Sequence, residues 1–176
     1  LAVSNRVGAI SVALNCLLAA VKIFAGIVAH SHAMIADGVH TISDVVSTAA
    51  VMIGMVFSTK PDDKDHPYGH EKIEAEVGKL LSMALMATGI GVGWASVNTI
   101  INGSYTKPGV LAAIAAVLSI IVKEWMYHYT VRAAKKINSP AMKADAWHHR
   151  SDALSSIGTL VGITGAMLGL PILDPL

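Results

Sequence analysis

The chain has 176 residues, of which 53% are hydrophobic and 14% are charged, and its formal net charge at pH 7 is +1. A soluble domain usually carries about 25% charged residues, so this composition favours a protein embedded in a lipid bilayer. The small net charge argues against nucleic acid as a partner, and the single cysteine, Cys16, excludes an internal disulfide and a cysteine-based zinc cluster.

Apolar segments in the sequence predict five transmembrane helices and therefore an all-α membrane protein. A helix needs roughly 20 apolar residues to cross the hydrocarbon core of a bilayer. The predicted spans are residues 7–29, 33–57, 77–101, 109–129 and 141–170. Between the second and third spans, residues 58–76 are polar, charged and interrupted by Pro and Gly, so this stretch is predicted to be a loop outside the membrane.

The distribution of basic residues predicts how the helices are oriented. Lysine and arginine are concentrated near the N-terminus and in the loops at 58–76 and 130–142, whereas the opposite loops contain only Lys107. By the positive-inside rule, the N-terminus and those two loops are cytoplasmic, and we expect the membrane to be a bacterial inner membrane. The second and fifth spans then run in opposite directions.

A short motif occurs twice, once at the start of the second span and once at the start of the fifth. The segments SHAMIADGVHTISDVVS (31–47) and SPAMKADAWHHRSDALS (139–155) agree at nine of 17 positions when aligned without a gap. Each copy contains a histidine and an aspartate four residues apart, which places both side chains on one face of a helix. Antiparallel copies that meet near mid-membrane are typical of inverted-repeat transporters, although the similarity here covers only about one helix per copy.

Four side chains of the two motifs are the predicted ligands of one divalent metal ion: His40, Asp44, His148 and Asp152. Ionisable groups at membrane depth are costly and usually functional, although a purely structural alternative is that they form pairs that hold helices together. Two imidazoles and two carboxylates suit Zn²⁺; Fe²⁺, Co²⁺, Mn²⁺ and Cd²⁺ are also compatible, and the lack of thiolate argues against Cu⁺.

Two further carboxylates, Asp37 and Asp145, lie three residues before the two histidines of the motifs. They are predicted either to accept a hydrogen bond from a ligand imidazole in the outer coordination sphere or to serve at helix entry or as caps. His149 is about a third of a turn from His148 and is predicted to face another helix or water rather than the metal.

Protons and a metal ion compete for the same imidazole and carboxylate atoms, because a metal binds the deprotonated ligands. Histidine titrates near neutral pH. A site that is reached alternately from the two sides of the membrane would therefore load metal on one side and protons on the other. This predicts antiport, in which metal moves out while protons move in.

The loop contains a second cluster that is compatible with metal binding. Its members are Asp62, Asp63, Asp65, His66 and His70. Pro67 and Gly69 make a regular helix between the histidines unfavourable, so spacing alone does not place them on one face. A cytoplasmic metal site and a solvated acidic loop are equally compatible with this segment.

Taken together, these segments resemble the cation diffusion facilitator family of zinc and iron transporters. The resemblance covers essentially the whole chain and rests on ADGVHTISD, KPDDKDHPYGHEKIE and KADAWHHRSDALSS. Members are typically homodimeric, proton-coupled antiporters with six transmembrane helices followed by a cytoplasmic metal-binding domain. The resemblance implies a transport site, with a preference for Zn²⁺, at His40, Asp44, His148 and Asp152, and a loop site at Asp63, His66 and His70.

The resemblance also implies that a sixth helix and a C-terminal cytoplasmic domain lie outside these 176 residues, so we expect the chain to be a fragment. The alternatives are a transporter of Fe²⁺ or Mn²⁺ and a membrane scaffold that senses metal or is gated by it. An intramembrane metalloprotease is disfavoured because the sequence has no HExxH motif and thus no obvious metal-activated base. We therefore expect a secondary transporter rather than an enzyme, with no prosthetic group.

Overall fold

The computed structural model describes residues 2–58, 72–103, 107–137 and 140–175. Within these ranges the chain forms long α-helices and one short 3₁₀ turn, and no strand. The helices are α1 (Ala2–Val28), α2 (His32–Ser58), α3 (Lys72–Ile101), α4 (Val110–Ile137) and α5 (Pro140–Met167), and the 3₁₀ turn is Pro171–Leu173. The predicted all-α helix bundle is confirmed, whereas the loop residues Asp63, His66 and His70 lie outside the described ranges.

The helix ends differ most from the predicted spans at the end of α4, and α1 and α3 each begin five residues earlier than predicted. Helix α4 continues past residue 129 to Ile137, and its last turn contains Lys135 and Lys136, whose charges interact favourably with the negative end of the helix dipole. Helix α5 ends at Met167 rather than at residue 170. Gly169 has a positive φ of 112°, and the following Pro171 cannot continue a helix, so the chain turns there.

The outer surface of the bundle is apolar, as expected for a protein in lipid. Phe24 is 65% exposed, Trp94 is 74% exposed and Ile121 is 61% exposed. Two described helical segments, Arg6–Val28 and Val110–Ile137, are long and apolar enough to cross a membrane, and Met86–Ile101 is a shorter apolar segment.

Small side chains allow the helices to pack closely. The main buried cluster contains five alanines together with Met34 and Ile163, and such small residues are typical of membrane helix interfaces. At the contact between α1 and α2, a Cβ added to Gly26 would lie 2.7 Å from Ile35 Cγ1, and one added to Gly38 would lie 2.7 Å from Ile23 Cδ1. The two helices can therefore approach at these points only because glycine has no side chain.

Asp174 connects the C-terminal end of α5 to the beginning of α2. Its carboxylate accepts hydrogen bonds from Ser31 Oγ at 2.5 Å and from the His32 backbone N–H at 2.6 Å. Ser31 Oγ in turn accepts one from the Met34 N–H at 3.2 Å, so the first turn of α2 is capped and also carries a favourable negative charge. Because the end of one helix meets the start of the other, α2 and α5 are antiparallel, as predicted.

Candidate metal centre

Three of the four predicted ligands lie together where α2 faces α5. One potential ligand atom from each of His40, Asp44 and Asp152 lies within 4.8 Å of the others. His40 Nε2 is 3.8 Å from Asp44 Oδ2, one helical turn away. Ligand atoms bound to Zn²⁺ at about 2.1 Å in a tetrahedron are about 3.4 Å apart, so small side-chain movements would bring all three onto one ion.

This cluster lies near the middle of the predicted membrane thickness. Asp44 is 44 − 32 = 12 residues after the first residue of α2, His32. At about 1.5 Å per residue, it lies roughly 18 Å along the helix. The hydrocarbon core of a bilayer is about 30 Å thick, so the carboxylate lies near half depth, where a charged group requires a counter-ion or a bound cation.

His148 is beside Asp152 but is not part of the three-residue cluster. Its Nδ1 lies 3.8 Å from Asp152 Oδ1, and its side chain is 52% exposed. The spacing of four therefore places the two side chains on one face of α5, as predicted. The ring must turn inward to join His40 and Asp44, and an exposed side chain can exchange between staggered rotamers.

In the described part of the chain, Asp37 makes neither of the contacts that were predicted for it. Its Oδ2 lies 2.9 Å from Lys22 Nζ on α1, and it accepts a hydrogen bond from Ser156 Oγ at 3.2 Å. Among the described residues, Asp37 therefore pairs with a lysine and not with an imidazole. It also does not cap α2, because Ser31 precedes the helix and provides that contact.

Asp145 lies near the other histidine of its segment. Asp145 Oδ2 is 3.6 Å from His149 Nε2, so the carboxylate faces His149 rather than the predicted ligand His148. His149 is only 2% exposed, and neither of its ring nitrogens has a hydrogen-bond partner within the described part of the chain. His149 was predicted to face another helix or water, and its burial agrees with the first of these two surroundings.

Two buried lysines lie beside the site, and their contacts were not predicted from the sequence. Lys22 is 1% exposed and Lys123 is 0% exposed. In addition to Asp37, Lys22 Nζ donates to Thr41 Oγ1 at 3.1 Å and to Ser156 Oγ at 3.4 Å. Lys123 Nζ lies 2.6 Å from Asp152 Oδ2. The sequence contained a signal for both, because each is a lone cation within a long apolar segment, where ionisable residues are usually functional.

Together these contacts form a polar network in the centre of the bundle. Ser156 Oγ is 3.3 Å from Ser119 Oγ, so the hydroxyl of Ser156 joins α4 to the Lys22–Asp37 pair between α1 and α2. Buried polar groups are stable only when they are paired in this way. The network therefore fixes the four helices around the cluster of His40, Asp44 and Asp152.

A cavity of about 720 Å³ extends from the beginning of α2 to His40. Residues of α2, α3 and α5 line it, together with the turn that contains Asp174. Its polar lining includes His32, Ser155 and Thr159. A hydrated ion could therefore reach the cluster from the end of the bundle where α2 begins.

Comparison with known proteins gives a consistent set of relatives. The family model for the cation efflux transmembrane domain matches residues 9–176. An uncharacterized transporter of Methanocaldococcus jannaschii is 40% identical over 161 residues, which cover 92% of this chain and 57% of that protein. Metal tolerance protein C1 of Arabidopsis thaliana is 38% identical over 174 residues, which cover 90% of this chain and 37% of that protein.

A bacterial relative is the manganese efflux system protein MneS of Bacillus subtilis. It is 36% identical over 165 residues, which cover 94% of this chain and 57% of that protein. The chain therefore spans little more than half of the archaeal and bacterial relatives and a smaller part of the plant one.

Proposed function

Because the chain belongs to the cation efflux family, we propose that it forms the membrane part of a transporter that exports a divalent metal cation, Zn²⁺, in exchange for protons. The observation that carries this proposal is the convergence of His40, Asp44 and Asp152 from two antiparallel helices at about half the membrane depth. His148, one turn from Asp152, supplies the fourth ligand when its ring turns inward.

The choice of Zn²⁺ rests on the chemistry of the proposed ligands. Two imidazole nitrogens and two carboxylate oxygens in a tetrahedron suit a d¹⁰ ion that has no strong geometric preference. Proton exchange follows from the same atoms, since protonation of the imidazoles and carboxylates weakens metal binding. Protons that enter the site would therefore assist release of the metal.

The cavity supports a direction for this release. With the N-terminus in the cytoplasm, as the basic residues predict, the beginning of α2 lies on the opposite side of the membrane. The cavity that reaches His40 from that end would then be the exit route to the outside. In a bacterium this corresponds to export across the inner membrane.

Two other features of the resemblance belong to the same proposal. The loop residues Asp63, His66 and His70 would bind metal on the cytoplasmic side, and the transporter would be a homodimer. Helix α3 is compatible with a subunit contact at Gly91, because a Cβ added there would meet no atom within 4 Å, which leaves room for a second helix to approach closely. Gly89 and Gly93, on another side of α3, line the cavity instead.

Proton coupling can be tested with the full-length protein in proteoliposomes that are loaded with Zn²⁺ and a pH-sensitive dye. Exchange predicts that the lumen becomes acidic as metal leaves and that an imposed pH gradient changes the metal flux. A metal-gated channel would pass metal without moving protons. Metal flux that is indifferent to the pH gradient would contradict antiport, and the absence of any flux would favour a metal-sensing scaffold.

Substitution of the ligands provides the matched test of the site. Asp44→Ala and Asp152→Ala are each expected to abolish high-affinity metal binding at the membrane site, because each removes a charged ligand. His149→Ala, one residue from a proposed ligand, should leave this binding largely intact. Calorimetric titration that gives the reverse order would require a different ligand set.

Export of Mn²⁺ is the second candidate, because two relatives are named manganese efflux system proteins: MneS, at 36% identity, and MneP, at 34% identity. Binding affinity alone does not separate the candidates, since sites of nitrogen and oxygen ligands generally bind Zn²⁺ more tightly than Mn²⁺. Transport rates must be compared instead. Rapid proton-coupled flux of Mn²⁺ together with slow flux of Zn²⁺ would identify Mn²⁺, and not Zn²⁺, as the substrate.

A further inference from the structure

We infer that Lys123 is a built-in cation that holds the Asp152 carboxylate in the metal-free site and competes with the transported metal for it. This inference rests on the proposed function, because it requires that Asp152 bind the metal. It assigns to α4 a role in setting metal affinity, although α4 provides none of the four proposed ligands.

The contact between the two residues is short and almost completely shielded from solvent. Lys123 Nζ is 2.6 Å from Asp152 Oδ2, and the side chains are 1% and 8% exposed. This is a short charge-assisted hydrogen bond. Asp152 is also a member of the ligand cluster with His40 and Asp44, so the same carboxylate serves the lysine and the proposed metal.

An ion bound to Asp152 must lie close to this ammonium group. If the metal takes Oδ2, the lysine loses its contact; if it takes Oδ1, two positive charges share one carboxylate in a medium of low dielectric constant. In both cases the lysine and the metal weaken each other's interaction with Asp152. Removing the lysine charge should therefore strengthen metal binding.

The other buried lysine provides an internal comparison. Lys22 has three acceptors, on Asp37, Thr41 and Ser156, and none of these residues is a proposed ligand. Within the described residues, Lys123 Nζ donates its hydrogen bond to Asp152 Oδ2. The two lysines are similarly buried, but only Lys123 contacts a proposed ligand.

The charges suggest why such a lysine is useful in a transporter. The ammonium of Lys123 offsets the charge of Asp152 in the metal-free site, which would otherwise hold two carboxylates within the membrane without this cation. A divalent ion can displace the ammonium, whereas a monovalent ion offers Asp152 no more charge than the lysine already does. When the metal leaves, the ammonium returns to Asp152. Lys123 thus favours divalent substrates and limits their affinity so that they can be released.

The test compares three forms of the full-length protein in detergent: wild type, Lys123→Gln and Lys22→Gln. Binding of Zn²⁺ is measured by titration, and the membrane-site signal is defined as the part that Asp44→Ala removes. Loss of one charge of a close buried pair commonly changes affinity by a factor of about ten or more. Lys123→Gln is therefore expected to bind Zn²⁺ about tenfold more tightly than wild type, and to release it more slowly in transport assays.

The thermal midpoints of the same proteins distinguish competition from a purely structural role. Lys123→Gln should destabilise the metal-free protein more than the metal-loaded protein, so that added Zn²⁺ raises its midpoint more than that of wild type. Lys22→Gln should lower both midpoints equally, so that added Zn²⁺ raises its midpoint no more than that of wild type. Lys123→Arg, which keeps the charge, should bind Zn²⁺ with the affinity of wild type.

Each other outcome has a definite meaning. If Lys123→Gln can be purified only in the presence of Zn²⁺, the metal is replacing the missing cation, as inferred. Equal or weaker Zn²⁺ affinity of Lys123→Gln, or equal destabilisation with and without metal, would overturn the role of Lys123 while the transport proposal stands. If wild type shows no signal that Asp44→Ala removes, both the transport site and the role of Lys123 are wrong.

Discussion

The buried pair of Lys22 and Asp37 gives the most direct prediction about how the bundle is stabilised. Their side chains are 1% and 4% exposed, and the ammonium nitrogen lies 2.9 Å from the carboxylate oxygen. Lys22→Met removes the cation and leaves the carboxylate with the hydroxyl of Ser156 as its described donor. Breaking a buried pair on one side usually costs about 3–5 kcal/mol, because the remaining charge is buried without compensation. The free energy of unfolding should fall by about this amount.

The double variant Lys22→Met/Asp37→Leu separates the cost of an unpaired charge from the value of the pair. It removes both charges, and replacement of a buried pair by apolar side chains is often neutral or stabilising. The assay is reversible unfolding in mixed micelles, with Lys79→Met, at an exposed position of α3, as the control that should change stability by no more than about 0.5 kcal/mol. Two results would contradict the reasoning that both charges are buried away from solvent. One is a loss below about 1 kcal/mol for Lys22→Met, and the other is a double variant that is as unstable as the single one.

Two further predictions concern the connection between the end of α5 and the start of α2. Gly162→Ala would place a Cβ 2.7 Å from the Leu173 carbonyl oxygen, and we expect the free energy of unfolding to fall by about 1–3 kcal/mol. A Cβ at Gly158 would meet nothing within 4 Å, so Gly158→Ala should stabilise the same helix by about 0.5–1 kcal/mol. Equal effects of the two changes on the unfolding midpoint would contradict the close packing of the turn. Asp174→Ala removes the acceptor of the Ser31 and His32 hydrogen bonds, so it should lower the free energy of unfolding by about 1–2 kcal/mol. Asp174→Asn keeps an acceptor and should lower it by less. The unfolding midpoints of the two variants check both expectations.

The sequence predicted those features of the fold that depend on local pattern. Apolar length located the helices, and a spacing of four placed each histidine beside its aspartate on one face. The imbalance of basic residues between the loops predicted that the two motifs run in opposite directions, and the contact of Asp174 with the start of α2 confirms it. These predictions succeeded because the helix period depends little on the neighbours of a helix, and because the thickness of bilayers varies by only a few Å.

The partners of Asp37 and Asp145 could not be predicted in the same way. Sequence spacing identifies the face of a helix on which a carboxylate lies, but it does not identify the side chain that a neighbouring helix places opposite. Asp37 meets Lys22 of α1, whereas Asp145 meets His149 of its own helix. For the same reason, the contact of Lys123 with Asp152 depends on how α4 packs on α5, and no local pattern records it.

The central proposal is that α2 and α5 together bind one divalent ion within the membrane. The most direct measurement is a crystal structure of the full-length protein with Zn²⁺, in which anomalous scattering at the zinc edge locates the ion. We predict a peak about 2.0–2.2 Å from ligand atoms of His40, Asp44, His148 and Asp152. An ion found only at other residues, with these four side chains turned away from one another in the metal-loaded protein, would contradict it.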